Sequence, residues 1–361
     1  MQSPSIELLE ATLAAGGTAI EWSLAAHDFS DCQLDGIRFV QCDLSRVSFR
    51  SARLKKVSFV KCNLQGADFT DAVCDAMSVL KTDCTGGRYT NSSWKSCSLI
   101  ECVADELDFS GANLHQSSLV KSTFCGTKWN GARLTSSGFV QSPLSNASFA
   151  GAAFKGAYFI ETDLVGACWE RADFHQTVFQ QAMLRGGIFS GIGFYYCLFQ
   201  ETDLTGCQFQ QARLHGTMML KADLTDIDFS GTRANLARFD GSNLAGSIWS
   251  DAELVEAGFE GACLRQACFD GAVLTRARMQ RADATDASFR GALCNDMTFE
   301  YAQLLRTNFS DAQCSRLRLH GANLQDEQPG LNWHTAVLDD STRLESERYD
   351  PPSLFMTHDR R

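Results

Sequence analysis

The chain has 361 residues, a formal net charge of −11, five prolines and 10% aromatic residues. No apolar stretch is long enough to span a membrane, and the acidic balance weighs against nucleic acid as a partner. The first residues carry Glu7 and Glu10 with no basic segment, so no cleavable secretory signal is expected.

Residues 1–25 stand apart as an N-terminal cap. Ser3-Pro4 followed by Ile6, Leu8, Leu9 and Leu13 predicts a short amphipathic helix with proline at its first turn, ended by Gly16-Gly17. Such a helix would cover the first edge of the fold that follows, or serve as a docking helix. Ile20, Trp22 and Leu24 lead into the first turn.

From Phe29 the chain repeats in steps of twenty. Phe29, Phe49, Phe69, Tyr89, Phe109, Trp129, Phe149, Trp169, Phe189, Phe209, Phe229, Trp249, Phe269, Phe289 and Phe309 form an unbroken aromatic column. Each step divides into four fives, and up to Leu324 the positions ending in 4 or 9 are largely apolar. An uninterrupted short period means a solenoid. Two residues before each large apolar centre sits a small side chain, as in Ala67-Asp68-Phe69 and Ala222-Asp223-Leu224. Two residues after it glycine is common, as at Gly66, Gly111 and Gly151. Small-in, polar-out, large-in is strand alternation, and glycine two places on suits a corner with positive φ. Each five is an extended piece plus a corner, and four make one square turn.

This tandem A-[DN]-[LF]-x-x grammar resembles the pentapeptide-repeat family, whose members form a right-handed quadrilateral β-helix. The resemblance covers residues 26–325 and implies an all-β solenoid of about 15 coils, roughly 70 Å long at the strand spacing. Residues 326–361 are then a C-terminal cap and polar tail. Leu331, Trp333, Val337 and Leu338 would close the end beyond Pro329, and Leu354, Phe355 and Met356 form an apolar trio within the tail.

Of the fifteen cysteines, Cys32, Cys42, Cys62, Cys97, Cys102, Cys197 and Cys207 fall on the small inward position, and Cys74, Cys84, Cys294 and Cys314 on centres. They read as small buried hydrophobes in a reducing, cytoplasmic compartment. Cys125, Cys168, Cys263 and Cys268 point outward without metal-ligand spacing, so neither a metal nor another cofactor is expected. Arg38, Arg46, Arg50, Arg53, Lys55, Lys56 and Lys61 form a basic collar that reads as a solvated face.

One outward column departs from the polar rule. After each centre on the Phe39 face come Val40, Val60, Leu80, Ile100, Val120, Val140 and Ile160, beside a polar rail of Gln41, Lys61, Lys81, Glu101, Lys121, Gln141 and Glu161. Past Ile160 the apolar character moves across the centre to Tyr158, Val178, Leu198 and Met218. An apolar stripe with a polar rim marks an interface, for a protein partner, the protein's own tail or a second copy, while β-branched residues also suit a flat strand face. No catalytic residue is assigned: His115, His175 and His215 share a column but lie several turns apart. The series Asp43, Asn63, Asp83, Asp163, Asp203 and Asp223 occupies the polar position of the repeat. The expected function is a non-enzymatic scaffold, which in this family implies a secretion-system accessory or a secreted effector exported without a cleavable signal. The alternative is a DNA-mimic binder of a type II topoisomerase, like the gyrase-protecting members.

Overall fold

The computed structural model describes residues 3–324 and 343–344. It is a parallel β-solenoid of about 15 turns with one short helix at the N-terminus. The chain divides into two compact units, residues 1–188 and 189–361.

The helix of the first unit runs Ile6–Ala15. Ser5 caps it, its hydroxyl accepting the Leu8 N–H at 3.2 Å, so the predicted Pro4 sits one residue ahead of the cap. Gly16 ends it in the left-handed region at φ 60°. A Cβ at Gly16 would stand 2.8 Å from the Asp35 carbonyl oxygen, so the helix end lies directly against the edge strand Gln33–Asp35.

Two faces of this unit are regular parallel strands in strict twenty-residue register. One runs through Thr18–Ile20, Arg38–Val40, Ser58–Val60, Ser78–Leu80, Ser98–Ile100, Ser118–Val120, Gly138–Val140, Tyr158–Ile160 and Val178–Gln180. The second runs from Gln33–Asp35 to Asp173–His175. The remaining two faces are joined only by single bridges such as Asp43↔Asn63 and Ser48↔Asp68.

The corners explain that difference. On a bridged face the small inward residue closes a β-turn, its N–H donating to the centre three residues back: Val47 to Leu44 at 3.2 Å, Ala52 to Phe49 at 3.1 Å. Around the stranded faces the inward residue is often Ser, Thr or Cys, and its N–H donates to a hydroxyl one turn further on. Cys62 N–H reaches Thr82 Oγ1 at 3.1 Å, Cys102 N–H reaches Ser122 Oγ at 2.9 Å and Ser117 N–H reaches Ser137 Oγ at 2.9 Å. Each hydroxyl then donates to a carbonyl two residues earlier, as Ser122 does to Val120 at 3.0 Å. A buried N–H needs an acceptor, and this ladder supplies it without the turn bond.

The core is the aromatic column. Within the first unit its rings stack at centroid distances from 4.2 Å (Phe109–Trp129) to 6.2 Å (Trp129–Phe149). The Phe39 column meets it edge-on, as Phe59 does Phe69 at 6.3 Å and 88°. Offset stacking and edge contacts are the arrangements the ring quadrupole favours.

The second unit begins its repeats with the strands Gly193–Tyr195 and Leu198–Gln200, then continues on single bridges, from Gly193↔Arg213, as far as the strand Gln303–Leu304. Its stack is as regular, with Phe229–Trp249 at 4.2 Å and Phe269–Phe289 at 5.0 Å. Gln303–Leu304 pairs with Asn323–Leu324, which pairs with Arg343–Leu344, so the step of twenty is kept once beyond Pro329. Leu331, Trp333, Val337, Leu338 and the trio at Leu354 lie outside the described residues.

Candidate interaction face

The aliphatic stripe lies on the longest stranded face of the first unit. Val40, Val60, Leu80, Ile100, Val120, Val140 and Ile160 are consecutive partners in the ladder, and all seven are half-buried. Each packs its inner side against the neighbouring turns and leaves its outer side in solvent. The register adds one residue that sequence reasoning treated only as a lead-in. Ile20 pairs with Val40 and is 57% exposed, and stepping back twenty from Val40 finds it. The residue after Ile160 in the column is Gln180, where the aliphatic run ends.

On the other side of the inward centres stand Arg38, Ser58, Ser78, Ser98 and Ser118. That row is closed at Gly138 and Tyr158. The Tyr158 hydroxyl reaches back two turns to Ser118 Oγ at 3.0 Å. Its ring passes over buried Gly138, where a Cβ would collide with the Tyr158 carbonyl oxygen. The rail beside the stripe is partly self-paired, through Lys81–Glu101 at 3.2 Å and Gln141 Nε2 donating to Glu161 at 2.7 Å. Val178 continues half-buried in this unit, while Leu198 and Met218 are half-buried in the second.

The other candidates resolve into structural roles. All six members of the Asp/Asn series accept the backbone N–H two residues on: Asp43 from Ser45, Asn63 from Gln65, Asp83 from Thr85, Asp163 from Val165, Asp203 from Thr205 and Asp223 from Thr225. These are Asx turns that hold the corner. Asp83 carries a burial penalty, yet the Thr85 N–H and hydroxyl and the Gln65 amide together hold its carboxyl below the usual value. His175 Nε2 bonds Asp173 at 2.9 Å and His215 bonds the Tyr196 hydroxyl at 3.1 Å, so these two histidines meet local partners rather than each other.

Burial pushes the Cys74 thiol up, and pushes Cys97 up to about 11, so these sulfurs are thiols and not nucleophilic thiolates. The inward cysteines are more than small hydrophobes, since the Cys62 thiol donates to Phe39 O at 3.4 Å. Cys32, on the first turn, is half-buried. Among the described residues no group of three or more His, Cys, Asp or Glu is placed to hold a metal ion. No helix among them is long and apolar enough to cross a membrane.

The family profile "Pentapeptide repeat region" matches residues 21–87. "Pentapeptide repeats (8 copies)" matches 139–174, 152–191, 194–233, 235–271, 259–291 and 287–326, so the two together span most of the chain. The chain is a pentapeptide-repeat protein. Among solved structures, this pentapeptide-repeat protein is similar to HetL from the cyanobacterium Nostoc sp. strain PCC 7120, described as involved in the regulation of heterocyst differentiation. Identity is 21%, over 63% of this chain and 91% of HetL, with a TM-score of 0.33. It is also similar to a trypsin-treated variant of QnrB1, a plasmid-mediated fluoroquinolone resistance protein. There identity is 17%, over 62% of this chain and 92% of QnrB1, with a TM-score of 0.39. No curated protein matches the chain.

Proposed function

We propose that this pentapeptide-repeat protein is a non-enzymatic scaffold that binds a protein partner along Val40, Val60, Leu80, Ile100, Val120, Val140 and Ile160, with Ile20 as an eighth member. One observation carries the reading: the stripe is a continuous in-register column on an outward strand face, half-exposed along its whole length. Outward positions of a solenoid are polar by default, and a run of seven aliphatic exceptions between polar rails is what an interface needs. Within that class we assign it the role of a secretion-system accessory or secreted effector, an assignment that rests on family resemblance alone. The fifteen free thiols, most of them buried, support synthesis and residence in a reducing cytoplasm.

A second reading, a DNA-mimic binder of a type II topoisomerase, draws support from the net charge of −11. The acids of the second unit count against it. Asp286 pairs with Arg306 at 2.5 Å, Asp296 with Arg316 at 2.6 Å, Asp283 with Arg265 at 2.5 Å and Glu260 with Arg281 at 3.1 Å. A mimic needs an uncompensated negative field, and these ladders cancel it locally.

The test is a pull-down from native lysate, comparing the intact chain with a variant carrying Val60→Asp, Leu80→Asp, Ile100→Asp and Val120→Asp. Circular dichroism checks that the variant folds. A partner lost only in the variant identifies the stripe as the binding face. Topoisomerase subunits retained by both proteins would replace the scaffold reading with the mimic.

A further inference from the structure

A second apolar patch lies in the second unit, and its occupant does not depend on the stripe. Corners of the solenoid have positive φ, and among the described residues almost all of them carry glycine, alanine or a polar side chain. The large apolar exceptions are Tyr196, Leu236 and Tyr301. Tyr196 (φ 56°) and Leu236 (φ 62°) stand two turns apart in one column, with Gly216 between them. A Cβ at Gly216 would come 2.6 Å from the Tyr196 ring, so that ring lies over the bare corner. The Tyr196 hydroxyl bonds His215 Nε2 at 3.1 Å and the two rings meet edge-on at 5.3 Å, which holds the phenol in place. Beside this platform Leu198 and Met218 are bridged partners, both half-buried, and Leu220 follows at 37% exposed. Tyr196 and Leu236 are 56% and 43% exposed. A bulky side chain at positive φ is unfavourable in itself, and leaving it in water recovers nothing. The Arg238–Asp240 ion pair at 2.5 Å bounds the patch on the next turn.

The patch is small. It covers about 10 Å along the stack and about 13 Å across the face. A stable globular interface needs roughly 800 Å² on each side, so this patch suits a few side chains of one segment. The chain carries such a segment. Beyond the repeat, its one run of three large apolar residues is Leu354, Phe355 and Met356, which lies outside the described residues. The start of the tether is described: Arg343–Leu344 pairs with Asn323–Leu324, in the same unit as the patch. From Leu344 back to Leu236 and Leu220 is about 26–30 Å at the strand spacing. Ten residues separate Leu344 from Leu354, an extended reach of about 31–35 Å, and Pro351-Pro352 favours an extended run. We propose that residues 345–356 run back along the second unit and seat Leu354, Phe355 and Met356 on Tyr196, Met218, Leu220 and Leu236. The chain then covers its own patch, and an external partner reaches it only by displacing the tail.

The full chain is made with p-benzoylphenylalanine in place of Phe355 and irradiated in dilute solution. The monomer should carry cross-links from residue 355 to the peptides holding Met218, Leu220 or Leu236. Leu236→Asp, which places at this corner a residue that others carry (Asp226, Asp286), should lower that yield severalfold. A second measurement needs no inserted probe. Hydroxyl-radical footprinting compares Met218 and Tyr196 in the intact chain and in a variant carrying Leu354→Asp, Phe355→Asp and Met356→Asp. Both side chains should oxidise severalfold faster in the variant, with the circular dichroism spectrum unchanged. Equal oxidation rates in the two chains, or cross-links confined to other faces, overturn the proposal. Cross-links found only in a dimer-sized product would make the occupant the tail of a second copy and overturn it as well. Each of these failures leaves the reading of the stripe standing.

Discussion

The indole of Trp249 offers a sharp test of how the core is held. Trp249 is fully buried, stacked 4.2 Å from Phe229 and 6.1 Å from Phe269, with Phe239 edge-on at 5.0 Å. Its Nε1–H donates to Ser247 Oγ at 2.9 Å, and that hydroxyl donates to Leu244 O at 2.7 Å. The same relay serves Trp94 through Ser92 and Trp129 through Thr127. Alanine fills the position of Ser247 in many other repeats, so a consensus argument makes Ser247→Ala neutral or stabilising. Hydrogen-bond accounting says the reverse. The substitution leaves a buried indole N–H without an acceptor, a loss of about 1–3 kcal/mol. In a Trp249→Phe background no donor remains, and the same change should cost about 0.5 kcal/mol or less. The double-mutant cycle therefore predicts a coupling of about 0.5–3 kcal/mol. Urea denaturation, with hydrogen exchange of the segment around 244–259 to read local opening, measures all four proteins. A coupling under about 0.5 kcal/mol would refute the relay.

Two further outcomes follow from other parts of the stack. Gly138→Ser restores the residue found at Ser58, Ser78, Ser98 and Ser118, yet its Cβ would collide with Tyr158, so it should destabilise by about 1–3 kcal/mol. A melting midpoint at or above that of the natural chain would contradict this. Asp83, Asp228 and Asp283 each carry a burial penalty that is outweighed by hydrogen bonds from Thr85, Ser230 and Thr285 respectively, leaving all three below the ordinary 3.8. Folded values below the unfolded one mean that their contribution is present above about pH 4 and is lost as pH falls through the lower folded values. The melting midpoint should hold from pH 7 to about pH 5 and fall below about pH 4. Changing all three to Asn, which keeps the turn acceptor, should flatten that fall. An equally steep acid limb in the triple variant would show that other groups carry it.

The interior was legible because a single rule writes it. An inward centre must be large and apolar in a narrow square cross-section, so the aromatic column is visible as a step of twenty. The stripe was legible because it breaks the rule for outward positions. Its half-burial was not, since that depends on how closely adjacent turns cover each side chain. Equally hidden was the role of Ser117, Ser122, Ser137 and Ser142, which the repeat grammar equates with alanine. Their hydroxyls take backbone N–H groups of the preceding turn that alanine could not accept. The polar Asp/Asn series was read as the repeat's outward position, and the Asx turns give that position its chemistry.

Strict register has a genetic consequence. Within each unit the described strand and bridge residues pair with those twenty places on, so a duplication or loss of twenty codons inserts or removes a whole turn and leaves the columns of that unit continuous. A five-codon change is different: it would preserve the interior grammar but rotate everything downstream by one face. Val60 would then be followed by a residue from a neighbouring column, and the stripe would be cut although the chain still wound. For a protein of this build, selection on the folded core tolerates lengths in fives, while selection on a shared outward column tolerates them only in twenties.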